Sequence, residues 1–189
     1  MKDCASESVR RTAPGIVFGA CRAPPRGTVH YRVATSPHKG RQRPPASTER
    51  SSSMTHIRIT TAGRTFLAET NPDAPLTVAA FEKLLPYRQR IIHVRWSGEG
   101  CWIPLGDFKL DVGFENHTSH PSVGDILFYP GGYSETEIIM AYGSCSFASK
   151  MGQLAGNHFL TIIEGKEHLR EVGTKVLWEG AQDILFEKA

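Results

Sequence analysis

The sequence predicts a mainly β protein, a closed barrel of about eight short strands with two helices covering its ends. Three observations carry that prediction. From residue 54 onward, short runs alternate apolar and polar side chains, the period of a strand. Only two stretches show helical spacing, and clusters of Gly, Pro, Asn and Ser punctuate the rest. Closure into a barrel would also remove the exposed sheet edges that a lone chain must otherwise protect.

The elements follow in order. "HIRITTAG" and "RTFLAET", separated by Ala62-Gly63-Arg64, read as a β-hairpin. In "NPDAPLTVAAFEKLLPY", Val78, Phe81, Leu84 and Leu85 recur at helical spacing, Asp73 or Thr77 can cap, and Pro86 bounds the helix. "QRIIHVRWS" reads as a strand with Ile92, Val94 and Trp96 on one face and His93 and Arg95 on the other. "CWIPL" is a shorter strand, which Pro104 confines to an edge or an end. Residues 107–123 show loop chemistry. Residues 124–129 and 135–142 are two adjacent strands, joined by a tight turn at Pro130-Gly131-Gly132. "GSCSFASKMGQLAGN" is an irregular connection and "HFLTIIEG" a strand. "KEHLREVGTKVLWEG" is an amphipathic helix with Leu169, Val172, Val176 and Leu177 on one face, and "QDILFEK" is the closing strand.

Composition divides the 189 residues in two. Residues 1–53 carry ten Lys/Arg against three Asp/Glu, are rich in Pro and Ser, and have no apolar periodicity, so they are expected to be a disordered basic extension. "SVRRTAPGIVFGAC" holds an apolar patch too short and too broken by glycine for an export signal. The compact domain is expected to begin at Met54 and to span residues 54–189, which carry twelve Lys/Arg against sixteen Asp/Glu. The net charge of +3 therefore belongs to the N-terminal segment. A mildly acidic domain without a Lys/Arg stripe argues against nucleic acid as a partner. No run reaches the roughly 18 apolar residues of a membrane span. Cys4, Cys21, Cys101 and Cys145 form no C-x-x-C pair and are read as free thiols of a cytoplasmic protein.

The order of elements resembles a cyclophilin-like barrel, in which a helix follows the first hairpin and another precedes the final strand. Within that fold, "VRWSGEGCWIPL", "ENHTSHPSVGDILFYPGG", "EIIMAYG" and "GQLAGNHFLTIIEG" are similar to a bacterial family known by a domain-of-unknown-function label. The resemblance covers residues 54–189 and implies fold rather than activity. True cyclophilins are peptidyl-prolyl isomerases whose catalytic strand carries an Arg, with a Phe-Met-x-Gln run shortly after. Arg95 falls near that Arg, but Trp96-Ser97-Gly98 stands where the run should be, so isomerase activity is not expected and a divergent isomerase is kept only as an alternative. Related cyclophilin-like domains in enzymes of small cyclic or ureide amides keep an amide-acting enzyme as an alternative by analogy. Gly124-Asp125-x4-Pro130-x-Gly132 also matches half of the cupin pattern, yet Glu135 occupies the place of the metal-binding His and the first cupin motif is missing.

Chemistry-bearing residues are sparse. His117 and His120, with Glu115 nearby, have ligand chemistry but no third partner of recognisable spacing, so no metal and no cofactor are expected. Ser97 and Ser144 lack a nucleophile-elbow context, and "GQLAG" lacks the spacing of a phosphate loop. The aromatics at strand ends and in loops are better candidates, because they bury apolar surface while keeping a polar tip available. Glu137, on a strand face that turns apolar, would be a pocket acid or a partner for Arg95. The expected ligand site is therefore Arg95, Trp102, Asn116, His117, Tyr129, Tyr133, Glu137 and Phe147, at the barrel mouth. Its ligand would be a small polar or anionic organic molecule or a short peptide, with Arg95 as the charge partner. A structural, homo-oligomer-forming subunit is the third function class.

Overall fold

A computed structural model describes residues 54–189. The expectation of disorder for residues 1–53 lies outside the described residues, as do Cys4 and Cys21.

The chain opens with the hairpin β1 (His56–Thr61) and β2 (Arg64–Thr70). Its two-residue turn puts both Ala62 and Gly63 at positive φ, 51° and 81°, which matches the right-handed twist of the flanking strands. Helix α1 (Pro75–Glu82) starts with Pro75, whose missing N–H would be unsatisfied there anyway. Neither Asp73 nor Thr77 caps it. The Thr77 N–H instead donates to Glu115 Oε1 at 2.5 Å, a cap delivered from 38 residues away.

Strand β3 (Tyr87–His93) is shorter than its pattern suggests. The chain leaves the sheet at Val94 and makes one tight helical turn, Arg95–Ser97, so Trp96 stands 44 % exposed rather than on a strand face. Strand β4 (Gly98–Gly106) is longer than expected and lies between β3 and β7 (Thr136–Cys145). Pro104 is tolerated because the β3–β4 pairing involves only Ile92 with Trp102 and His93 with Cys101, which leaves Pro104 unpaired on that side. Strands β5 (His117–Thr118) and β6 (Asp125–Tyr129) precede β7. The segment read as irregular contains a small hairpin, β8 (Ala148–Ser149) and β9 (Gly152–Gln153). Then come β10 (Gly156–Glu164), α2 (Leu169–Glu179) and β11 (Gln182–Lys188).

The strand order is β2-β1-β11-β3-β4-β7-β6-β10, and β10 returns to pair with β2. Eight antiparallel strands thus close into a barrel, and β5 adds to β10 beyond the end of β2. Alternation sorts the side chains into two layers. Ile57, Ile59, Phe66, Ile103, Phe128 and Met140 fill the interior, and α1 and α2 add Phe81, Leu169, Val172 and Val176 to the same cluster. Gly173 lets α2 lie close against the barrel, since a Cβ there would fall 2.4 Å from the Tyr142 ring. A second cluster forms on the outer wall of β4, β7 and β6, where Trp102, Leu127, Tyr129 and Ile139 are covered by Phe147 and Leu154. Strand β7 is therefore buried on both faces over most of its length. Cys101 and Cys145 are both free thiols.

Candidate functional site

The β6–β7 hairpin, whose strands are joined by the six residues 130–135 rather than by a three-residue turn, sets the register. Tyr129 pairs with Glu137 on one side of β7, and Pro104 of β4 pairs with Glu137 on the other. Trp102, two residues before Pro104, projects to the same outer face and stands diagonal to Glu137. Between the strands the chain turns through Gly131 and Gly132 at φ 95° and 142°, and a Cβ on Gly132 would meet the Tyr129 hydroxyl at 3.0 Å. Glycine is required there by both backbone and space.

A cleft of about 520 Å³ opens over this face. Its floor and walls are Trp96, Trp102, Pro104, Ser134, Glu135, Glu137, Ser149, Lys150 and Met151. Glu137 is 2 % exposed; among the described residues its Oε1 has no hydrogen-bond partner, and the buried indole Nε1 of Trp102 has none either. Burial first, and then the charge of Glu135, push the Glu137 carboxyl up to about 8, so near neutral pH it is an uncharged acid that can donate. Glu135 itself accepts from the Gly106 N–H at 3.2 Å. The Trp96 and Trp102 rings meet edge to face at 5.8 Å, and the Lys150 ammonium lies 5.7 Å from the centre of the Trp96 ring. Ser97 anchors the β8–β9 hairpin that forms one wall. Its hydroxyl donates to Ala148 O at 2.9 Å and accepts from Ala148 N at 3.1 Å.

A smaller hollow of about 310 Å³ lies on the other side of the same turn, lined by Phe114, His117, Tyr129, Gly131, Gly132, Tyr133, Gln153, Leu154 and Ala155. The Tyr133 hydroxyl donates to Gln153 O. The expected site residues are therefore divided. Trp102 and Glu137 line the larger cleft, whereas His117, Tyr129 and Tyr133 line the smaller hollow.

Three expectations need correction. Arg95 lines neither space; it is exposed on the tight turn, where its charge helps to hold the His93 imidazole below its ordinary range after burial has done most of that. It cannot be the charge partner of Glu137, and Lys150 is the cation at the cleft. Asn116 is likewise in neither space, and its Nδ2 donates to His158 O at 3.0 Å. Phe147 is fully buried core of the outer layer. The larger cleft lies on the outer face of β4 and β7, beside the connection from β6 to β7.

Glu115, which has ligand chemistry, is engaged with the backbone. Glu115 caps α1, and its own N–H donates to Asn157 Oδ1 at 3.0 Å. Among the described residues no group of three or more His, Cys, Asp or Glu side chains could hold a metal ion. Sequence reasoning missed Trp96, Pro104, Ser134, Ser149, Lys150 and Met151 as lining residues. Most lie in turns or in strands of two residues, too short for any period to show.

Residues 57–187 match the model of a family described as "Protein of unknown function (DUF3830)". No curated protein matches the chain. Among solved structures, one described as McbB in complex with tryptophan is similar with a TM-score of 0.54 and 19 % identity, over 70 % of this chain and 44 % of that one. The chain thus spans less than half the length of that protein. The solution structure of the hypothetical protein AF2241 from Archaeoglobus fulgidus is similar with a TM-score of 0.50 and 18 % identity, over 75 % of this chain and all of that one. At such identities the likeness is one of fold.

Proposed function

The chain belongs to the DUF3830 family of proteins of unknown function, and from that premise we propose that it is a small-molecule-binding protein with a cyclophilin-like barrel. One observation carries the reading: two buried polar atoms, Glu137 Oε1 and Trp102 Nε1, lack a partner among the described residues and belong to residues lining one cleft. Each unsatisfied buried group costs about 1–3 kcal/mol, a cost that a ligand supplying the missing partner would offset. The cleft's volume falls in the ordinary range for small-molecule sites. The tryptophan held by McbB, a protein of similar fold, agrees with the reading. Free Cys101 and Cys145 suit a reducing compartment, and the cytoplasm is the location the reading favours. Among the described residues no helix is long and apolar enough to cross a membrane.

A thermal-shift screen over a metabolite panel tests the proposal. A true ligand at 100 times its Kd adds about 2.7 kcal/mol of stability. Trp102→Phe should remove most of that gain while leaving the unliganded protein folded. A panel without any hit, or hits indifferent to Trp102→Phe, would end the reading. A second reading, an enzyme acting on a small amide, is favoured by a carboxyl that exchanges its proton near neutrality. It requires turnover that Glu137→Gln abolishes without loss of binding.

A further inference from the structure

The chemistry of the cleft narrows the ligand class, an inference that rests on the binding role proposed above. The indole N–H of Trp102 can only donate. The carboxyl of Glu137, uncharged near neutral pH, donates through its O–H. An indole N–H that only donates and a protonated carboxyl that can donate stand diagonal on one strand pair, and a ligand acceptor oxygen would satisfy both. The groups facing Glu137 are few. Glu135 lies just before its strand, Tyr129 stands opposite on β6, β4 offers only Trp102 and Pro104, and the β8–β9 hairpin brings Lys150 to the cleft. Glu135 keeps its negative charge while one of its oxygens accepts from the Gly106 N–H, and Lys150 is the cation that faces an incoming molecule. Trp96, Pro104 and Met151 make the remaining walls flat and apolar.

We propose that the cleft takes a flat-ringed organic carboxylate, whose oxygens accept from Trp102 Nε1 and the Glu137 carboxyl and whose charge faces Lys150. An acid–carboxylate hydrogen bond is strong in a partly dry site and exists only while Glu137 keeps its proton. Binding therefore fails once that proton leaves, whereas glutamine in its place still donates an N–H at any pH.

The test is calorimetry with benzoate, phenylacetate and nicotinate, each against its primary amide and its amine, at about pH 7 and about pH 9.5. At least one carboxylate should bind tenfold or more tighter than its amide and amine at the lower pH. Its affinity should fall severalfold or more at the higher pH in the unaltered protein and change little in Glu137→Gln. Lys150→Met should weaken the carboxylate selectively, and circular dichroism checks that each variant is folded. Amides or amines that bind as well as the carboxylates, or a carboxylate whose pH dependence survives in Glu137→Gln, would overturn the ligand class yet leave a binding cleft in place. Failure of all nine probes, with metabolite-panel hits that still depend on Trp102, would also overturn the class alone. Failure of both sets would remove the binding role itself.

Discussion

Trp102 and Glu137 stand diagonally across the β4–β7 ladder, and each buries a polar atom that nothing among the described residues satisfies. A protein that needed only a stable barrel would gain by filling both positions with apolar side chains. Their presence at one cleft is the feature from which the functional reading grows.

Glu137 should make stability depend on pH in an unusual direction. Its folded carboxyl titrates at about 8 against an ordinary 4.5, so the folded chain keeps a proton that the unfolded chain has released. The contribution is fully present below about pH 4.5 and is lost as pH rises toward 8, at no more than ~1.4 kcal/mol per pH unit. Urea denaturation across this range should show stability falling with pH in the unaltered protein and a flatter profile in Glu137→Gln. Identical profiles would mean that the carboxyl is solvated.

Helix α1 depends on a residue that its own sequence does not contain. Glu115→Ala removes the acceptor of the Thr77 N–H and should cost about 0.5–2 kcal/mol, the usual worth of a helix cap. Glu115→Gln keeps an acceptor oxygen and should recover most of the loss. Equal destabilisation by both variants, measured by chemical denaturation, would assign the effect to charge instead.

The seat of α2 should tolerate no added atom. A Cβ at residue 173 would lie 2.4 Å from the Tyr142 ring, so Gly173→Ala must displace either the ring or the helix. Overpacking of this kind costs about 1–3 kcal/mol, outweighing the gain of about 1 kcal/mol that alanine brings to a helix interior. The melting temperature should drop, and amide exchange in α2 should speed up; a rise in melting temperature would contradict the close seating.

Ser97 should matter to binding without touching a ligand. Its hydroxyl clamps Ala148 through two hydrogen bonds and so holds the hairpin carrying Lys150 and Met151. Ser97→Ala should cost about 1–3 kcal/mol locally and weaken any ligand found for the cleft. Unaltered affinity would show that the hairpin is held by its other contacts.

Much of the fold was legible because a strand advertises itself every second residue. The β1–β2 and β6–β7 hairpins, β10, β11 and both helices lie where the apolar periods place them, and the Pro130-Gly131-Gly132 turn follows from its composition. The misplaced elements were those without a period. Strand β3 ends at His93 because the chain turns sharply at Arg95–Ser97, and β8 and β9 have two residues each.

For the site, alternation along β7 could separate Glu137 and Ile139 from Ile138 and Met140, but it could not say which set faced the barrel interior or whether the other was roofed. That depended on the pairing of β4 with β7 and the return of residues 147–154 over the outer wall, contacts between segments far apart in sequence. The sequence by itself thus determined the strands, the helices and the residues able to do chemistry, since these follow from local periods and side-chain type. Only the tertiary structure decided that Glu137 and Trp102 share a cleft with Lys150 while Arg95, Asn116 and Phe147 do not, because sharing a cleft is set by long-range pairing and layering that no local pattern encodes.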